Sequence, residues 1–303
     1  MKSLNTYINE KMVYNKSTAS KYKYHPKTKE ELKELLKQLI EERGLEGDFN
    51  DIDTSKITNM SDLFEGMTKF NGNISNWDVS NVTNMSYMFS ECEFFNQDIS
   101  NWDVSKVKYM YYMFYDCKSF NQPLNDWNIS DVENMKYMFR GCESFNQPLN
   151  KWDVSKVTDM NRMFSKCEKF NQDISKWNVS KVKDMCYMFY DCKSFNQPLN
   201  NWDVSNVTNM EQMFYKCHKF NQSLDNWNVS NVINMRSMFN GCKSFNQPLN
   251  KWDVSNVTDM YSMFKGCESF NQDISKWNIS KVKNYTNMFN ECPIKEKYKP
   301  KFQ

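Results

Sequence analysis

The chain has 303 residues, a formal net charge of +2 and 25% charged residues. So even a balance of charge argues against a strong pull toward nucleic acid or anionic membrane, and no apolar run approaches the roughly 18–20 residues that a membrane span requires. The start, MKSLNTYINEKMVYNK, also lacks the apolar core and small-residue cleavage site of a secretory signal, so the expected location is cytoplasmic or particle-associated.

Residues 1–26 read as a leader. Leu4, Tyr7, Ile8 and Met12 fall at helical spacing, so Ser3–Lys11 is expected to form a short amphipathic helix. Such a segment is either a frayed terminus or a docking peptide for another protein. A capping helix and turn follow over 27–50. Thr28 with Glu31 makes a capping box, Leu32, Leu35, Leu36, Leu39 and Ile40 line one apolar face, and Gly44 ends the helix. A helix apolar on one side suits a lid over the first coil of a repeat array, whose bare end otherwise invites aggregation.

From 51 to 292 the chain is such an array. All nine tryptophans, Trp77 to Trp277, stand 25 residues apart with no insertion or deletion, which means one structural coil per repeat. Ile52, Ile57, Met60, Leu63 and Phe64 form a degenerate first coil without Trp, and nine Trp-bearing coils follow. Pro293 stops the pattern, and 293–303 is a basic tail placed to fold over the last coil.

Within one repeat, Ile99, Trp102 and Val104 have the spacing of the strand portion of a leucine-rich repeat. A short parallel strand is expected at about Asn101–Ser105, with Trp102 and Val104 on one face. Val107, Met110, Met113, Phe114, Cys117 and Phe120 then recur at three and four, which predicts a short helix facing the same interior. Ser105 is placed to cap that helix, and Asn121, after Phe120, to bond turn backbone. The expected fold class is therefore an α/β solenoid: a leucine-rich-repeat array with one short parallel strand plus one short helix per coil, and an N-terminal capping helix. From Gln147 onward, Pro148, Pro198 and Pro248 alternate with Asp173, Ser223 and Asp273, so a two-coil unit was the piece duplicated.

The string W-[DN]-[VI]-S-x-V-x-x-M-x-x-M-F followed by C-x-x-F-N-Q, over about Ile52 to Cys292, resembles the repeats of BspA-like leucine-rich-repeat surface proteins, the mycoplasma-type repeat family. The resemblance implies a right-handed leucine-rich-repeat solenoid and, for some relatives, display at the cell surface with adhesion to host or bacterial proteins. The sequence departs from usual leucine-rich repeats where Val107 and its equivalents replace the Asn after the strand.

Catalysis has little to work with. The two histidines, His25 and His218, make no Ser-His or Cys-His pair, and the expectation is a non-enzymatic protein without cofactor. Nine of the ten cysteines recur at one repeat position, Cys92 to Cys292, with Cys186 the extra. On helical faces they would lie about 9–10 Å apart, beyond the ~7 Å limit for a disulfide, so they read as buried structural thiols. The stripe Asp78, Asp103, Asn128, Asp153 lacks any calcium-loop pattern, and no metal is expected.

That stripe is expected to line a concave binding face. Beside it runs a column that changes along the array and includes Asn101, Asp126, Lys151 and Lys176. A second candidate surface is aromatic: Tyr87, Tyr109, Tyr111, Tyr112, Tyr115 and Tyr137, with Tyr187, Tyr190 and Tyr215 later, lie outside the apolar stripe, and aromatics with a polar tip suit protein or glycan contacts. The function expected is a protein-binding scaffold of adhesion or recognition type. An architectural component of a cell envelope or virus particle, docked through the leader, is the alternative, and a glycan-binding module the third.

Overall fold

The computed structural model describes residues 21–302. The amphipathic helix expected over Ser3–Lys11 lies outside them. Helix α1 spans Lys29–Arg43; Thr28 accepts a hydrogen bond from the Glu31 amide, and the Gly44 amide closes the far end on the Ile40 carbonyl. Leu32, Leu35, Leu36 and Leu39 of α1 are buried against the first coils. Two lysines flanking that apolar face, Lys29 and Lys33, reach Asp62 at 2.8 and 3.0 Å. Chain before α1 is also part of the array. Tyr24 is bridged to Ile52, and the Lys23 amide donates to the Asp51 carbonyl at 2.8 Å, so Lys23 and Tyr24 of the expected 1–26 leader are joined to the first coil.

The repeats stack as a solenoid, but not with the expected coil. Among the described residues the repeats contain neither a helix nor a strand longer than an isolated bridge. Parallel bridges run coil to coil from Asn59 through Asn84, Tyr109 and Asn134 to Asn284. The bridging position thus falls at Tyr109, and 101–105, expected to be a strand, is turn and irregular chain.

The expected helix over 107–120 is a run of tight turns. The amides of Met113, Tyr115 and Cys117 donate three residues back, to Met110, Tyr112 and Phe114, at 3.1–3.2 Å. Those of Tyr112, Phe114 and Asp116 donate to Lys136, Met138 and Arg140 of the next coil at 2.6–3.1 Å. Backbone donors therefore alternate between their own coil and its neighbour. Tyr112 and Asp116 carry φ of 60° and 53°, a left-handed conformation no α-helix contains. Successive turns of this kind place apolar residues three and four apart, as a helix does, which is why the pattern alone pointed to one.

All nine apolar positions of the coil (Ile99, Trp102, Val104, Val107, Met110, Met113, Phe114, Cys117 and Phe120) face the interior and are at most 4% exposed. Two phenylalanine columns interleave there. Rings of the Phe89–Phe114–Phe139 column lie 5.5–5.6 Å apart, and each packs within its own coil on the other column, as Phe89 does on Phe95 at 4.0 Å. Such contacts add about 0.5–1.5 kcal/mol per pair beyond area burial.

Polar atoms in this core are matched coil to coil. The Trp127 indole donates to the Ile99 carbonyl at 3.1 Å, which also accepts from the Trp102 amide at 3.2 Å. The Cys117 thiol donates to the Phe89 carbonyl at 2.9 Å, alongside the Cys92 amide. Asparagine forms a ladder: the Asn121 amide donates to Asn96 Oδ1, and the Asn146 amide to Asn121 Oδ1, both at 2.9 Å. Ser105 does not cap a helix. Its amide donates to Asp103 Oδ1 at 3.1 Å, an Asx turn. Pro and Asp alternate upstream because each starts a turn, Pro through its fixed φ and Asp98 or Asp173 through an Asx bond to Ser100 or Ser175.

Bridged coils stand about 4.8 Å apart, closer than the helix spacing assumed for the cysteines. The thiols are nonetheless free. The tail covers the far end: Ile294 is 6% exposed, a 3-10 turn spans Glu296–Tyr298, and the Phe302 ring packs on Tyr285 at 4.5 Å.

Candidate functional site

Each coil holds two left-handed positions four residues apart. The first is occupied in order by Asp62, Tyr87, Tyr112, Tyr137, Arg162, Tyr187, Gln212, Ser237, Ser262 and Asn287. Because successive coils superpose, side chains at this position stack. Tyr87 lies 4.7 Å from Tyr112, and Tyr112 lies 4.3 Å from Tyr137, with rings within 16° of parallel. The guanidinium of Arg162 continues the column, 5.2 Å from the Tyr137 ring and 3.9 Å from the Tyr187 ring. Its Nη1 also donates to the Tyr137 hydroxyl at 2.8 Å and to Asn161 Oδ1 at 3.0 Å. Four tyrosines and one arginine thus form a single ladder over five coils.

Other aromatics flank it. Tyr111 meets Tyr87 edge-on at 5.5 Å and Tyr109 at 6.5 Å, while Tyr115 tilts against Tyr112 at 5.4 Å. Arg140 lies over Tyr115 at 4.8 Å and contacts Asp116 at 3.4 Å. The ladder tyrosines are half-buried, whereas Tyr109 is 43% exposed. Burial, followed by the neighbouring Tyr137, pushes the Tyr112 hydroxyl up; burial and then a hydrogen bond to Glu211 push Tyr187 up to about 12. These phenols are neutral donors over the physiological range.

Tyr109 departs from its own column. The equivalents Asn84, Asn134, Asp159, Asp184, Asn209, Asn234, Asp259 and Asn284 each accept from the amide two residues on. Tyrosine makes no such bond. A turn-stabilising side chain is given up there for an exposed ring.

The sequence-predicted residues fall into two groups. The six tyrosines Tyr87, Tyr109, Tyr111, Tyr112, Tyr115 and Tyr137 form one contact network. Asn101, Asp103, Asp126, Lys151, Asp153 and Lys176 are all exposed and stand apart: among the described residues no hydrogen bond, ion pair or ring contact joins the two groups. Asp103 and Asp153 hold Ser105 and Ser155 in turns, which keeps both carboxyls below their usual range. Lys151 pairs with Asp126 at 2.6 Å, between side chains more than half exposed. Sequence reasoning missed Arg140 and Arg162, which occupy coil positions held by tyrosine elsewhere; that alternation was the available signal.

Among the described residues, no group of three or more His, Cys, Asp and Glu is arranged to hold a metal ion, and no helix is long and apolar enough to cross a membrane. No curated protein matches the chain. One solved structure, a plant peptide hormone receptor, RGFR1, in complex with RGF2, is similar over 78% of this chain and 49% of that one, with 8% identity and a TM-score of 0.16. The chain spans about half the length of that receptor chain, and so low a score carries no argument about fold. A family profile, by contrast, matches three times, over residues 31–149, 124–225 and 197–300, and together these matches cover the whole array: the chain belongs to the family described as Mycoplasma protein of unknown function, DUF285.

Proposed function

We propose that the chain is a non-enzymatic scaffold that binds protein through its tyrosine-bearing side. The observation that carries this reading is the ladder Tyr87–Tyr112–Tyr137–Arg162–Tyr187, together with its flanking ring Tyr109. The nine apolar positions, the asparagine ladder and the Asx turns are repeated in coil after coil and are used in holding the array together. The ladder is confined to five coils, and its tyrosines sit at left-handed positions where a bulky side chain costs about 1–2 kcal/mol and glycine would cost less. Rigid, half-exposed aromatic rings with polar tips are the side chains that bring most contact area at least loss of rotamer freedom. The finer kinship with BspA-like leucine-rich-repeat surface proteins, and with it adhesion at a cell surface, belongs to this proposal.

The test replaces Tyr109, Tyr111, Tyr112 and Tyr115 by serine together. Proteins captured from native-source extract by the wild-type chain are compared with those captured by the variant, and both proteins are melted to check the fold. A folded variant that loses a saturable partner supports the reading. A folded variant that retains every partner refutes it and leaves the rigid, end-capped array as an architectural spacer.

A further inference from the structure

Midway along the tyrosine-bearing side lies an open cleft of about 280 Å³, lined by Arg140, Arg162, Lys166, Tyr187, Tyr190 and Gln212. Three cations reach it from two adjacent coils, and no carboxylate is among its lining residues. Each guanidinium is stacked on tyrosine, and Arg140 is also paired with Asp116. Arg162 is clasped between the Tyr137 and Tyr187 rings, and Arg140 lies on Tyr115 with Asp116 only at 3.4 Å. In both, Nη1 makes the protein contacts, and among the described residues Nε and Nη2 have no hydrogen-bond partner. The Lys166 ammonium has neither hydrogen bond nor ion pair there, and its residue is exposed. Such a set is a preorganised group of donors for an oxyanion: the Nε–Nη2 side of each planar fork matches two oxygens at once, and neither it nor the Lys166 ammonium has first to leave a partner.

The surroundings limit what carries the oxyanion. Toward the N-terminus stand Asp116, Glu91 and the tyrosine network; one coil beyond Lys166 stands Asp191, with a carboxylate oxygen buried and unpartnered among the described residues, and then Glu211. A chain of repeated negative charges lying along the array would meet carboxylates on both sides of the cleft. A single oxyanion set among apolar or aromatic groups would meet rings instead. We propose that this cleft receives one acidic side chain of a peptide segment, a carboxylate or a phosphate ester, whose neighbours pack on Tyr112, Tyr115, Tyr187 and Tyr190. The inference rests on the protein-binding reading and names the chemistry at its centre.

The experiment uses the full chain. Peptides are selected from a displayed random library, then synthesised with Glu or Asp, with the matching amide, and with phosphotyrosine at the acidic position, and titrated calorimetrically. Two variants serve. Lys166 has φ of 62°, so Lys166→Gly relieves a left-handed strain and keeps the fold, and Lys166→Glu reverses the charge. The expected result is that selected peptides carry an acid between aromatic or aliphatic residues. The amide weakens binding at least about tenfold in the wild type, as loss of a charge-assisted hydrogen bond does, and Lys166→Glu removes the difference between acid and amide. The carboxylate and phosphotyrosine arms identify the source of the oxyanion. Failure to enrich any peptide, equal affinity of acid and amide, or stoichiometric displacement by a heparin tetrasaccharide would each overturn the proposal. Peptides that depend on Tyr112 but ignore Lys166 and their own acid would also sink it while leaving the tyrosine surface standing.

Discussion

Gly141 and Gly266 occupy the same coil position, with φ of 76° and 66°, yet alanine at the two should differ sharply in cost. Either substitution forces a side chain into the left-handed region, for about 1–2 kcal/mol. At Gly266 a new Cβ meets nothing nearer than Gly241 Cα at 3.7 Å, an ordinary contact. At Gly141 it would stand 1.9 Å from Asp116 Oδ1 and 3.1 Å from Asp116 Cα. The carboxylate can swing away only by leaving Arg140. The backbone cannot follow, because the Asp116 amide is tied to the Arg140 carbonyl at 2.6 Å and the Gly141 amide to the Ser165 carbonyl at 2.8 Å. Overpacking of this kind adds about 1–3 kcal/mol. Gly266→Ala is therefore expected to cost about 1–2 kcal/mol and Gly141→Ala about 2–5 kcal/mol, read from urea unfolding followed by tryptophan fluorescence. The double variant Asp116→Gly/Gly141→Ala should recover the difference, since Asp116 is itself left-handed at φ 53° and glycine there is relaxed. Equal costs for the two alanines, or strict additivity in the double variant, would refute the inter-coil clash.

Three further outcomes follow from the packing. Asp62 is pushed up by burial but pulled down further by Lys29 and Lys33 of α1, so its carboxyl lies below the usual range. A depressed carboxyl contributes stability above its unfolded pKa of about 3.9 that is lost as pH falls through the folded value. Asp62→Asn, which tolerates φ of 52°, should then cost about 0.5–1 kcal/mol at pH 7 after solvent screening, with the gap to wild type closing as pH falls through the depressed folded value; a gap that persists in acid would contradict the α1 pairing. Burial raises Cys117 and Cys142 well above an ordinary thiol, whereas Cys292 is only partly buried, so iodoacetamide at pH 8 should label Cys292 first by mass spectrometry, and prior labelling of Cys117 would be inconsistent with the core. Trp127→Phe leaves the Ile99 carbonyl with the Trp102 amide as its one donor, and the loss of the indole bond is expected to cost about 0.5–1.5 kcal/mol in thermal unfolding; a neutral substitution would mean that the indole bond adds nothing.

The interior was legible in the sequence because the repeat is strict. Every apolar position from Ile99 to Phe120 could be assigned inward from spacing alone, and α1 announces itself through Thr28, Glu31 and Gly44, which act within a few residues of one another. The backbone path was not legible from apolar spacing. Turns closed by bonds three residues back and a helical turn give Met110, Met113, Phe114 and Cys117 the same pattern, and the choice between them depends on donors such as the Phe114 amide that pair with the next coil. Gly66, Gly141, Gly241 and Gly266, recurring inside the expected helix, were the local sign against it. The surface divides in the same way. The surplus of tyrosines is visible as composition, but the ladder exists only once residues a full coil apart are superposed. Arg162 joins Tyr137 and Tyr187 through that superposition and through nothing in its own neighbourhood.

The alternation of backbone donors between a coil and its neighbour also governs how such a chain can change. One inserted residue would exchange inward and outward amides over the rest of its coil and move the left-handed positions onto side chains that fill the core. Growth or shrinkage by whole coils disturbs neither. The molecule is therefore a ruler graduated in steps of about 4.8 Å, and a lineage that copies or drops coils adjusts its reach without renegotiating its fold.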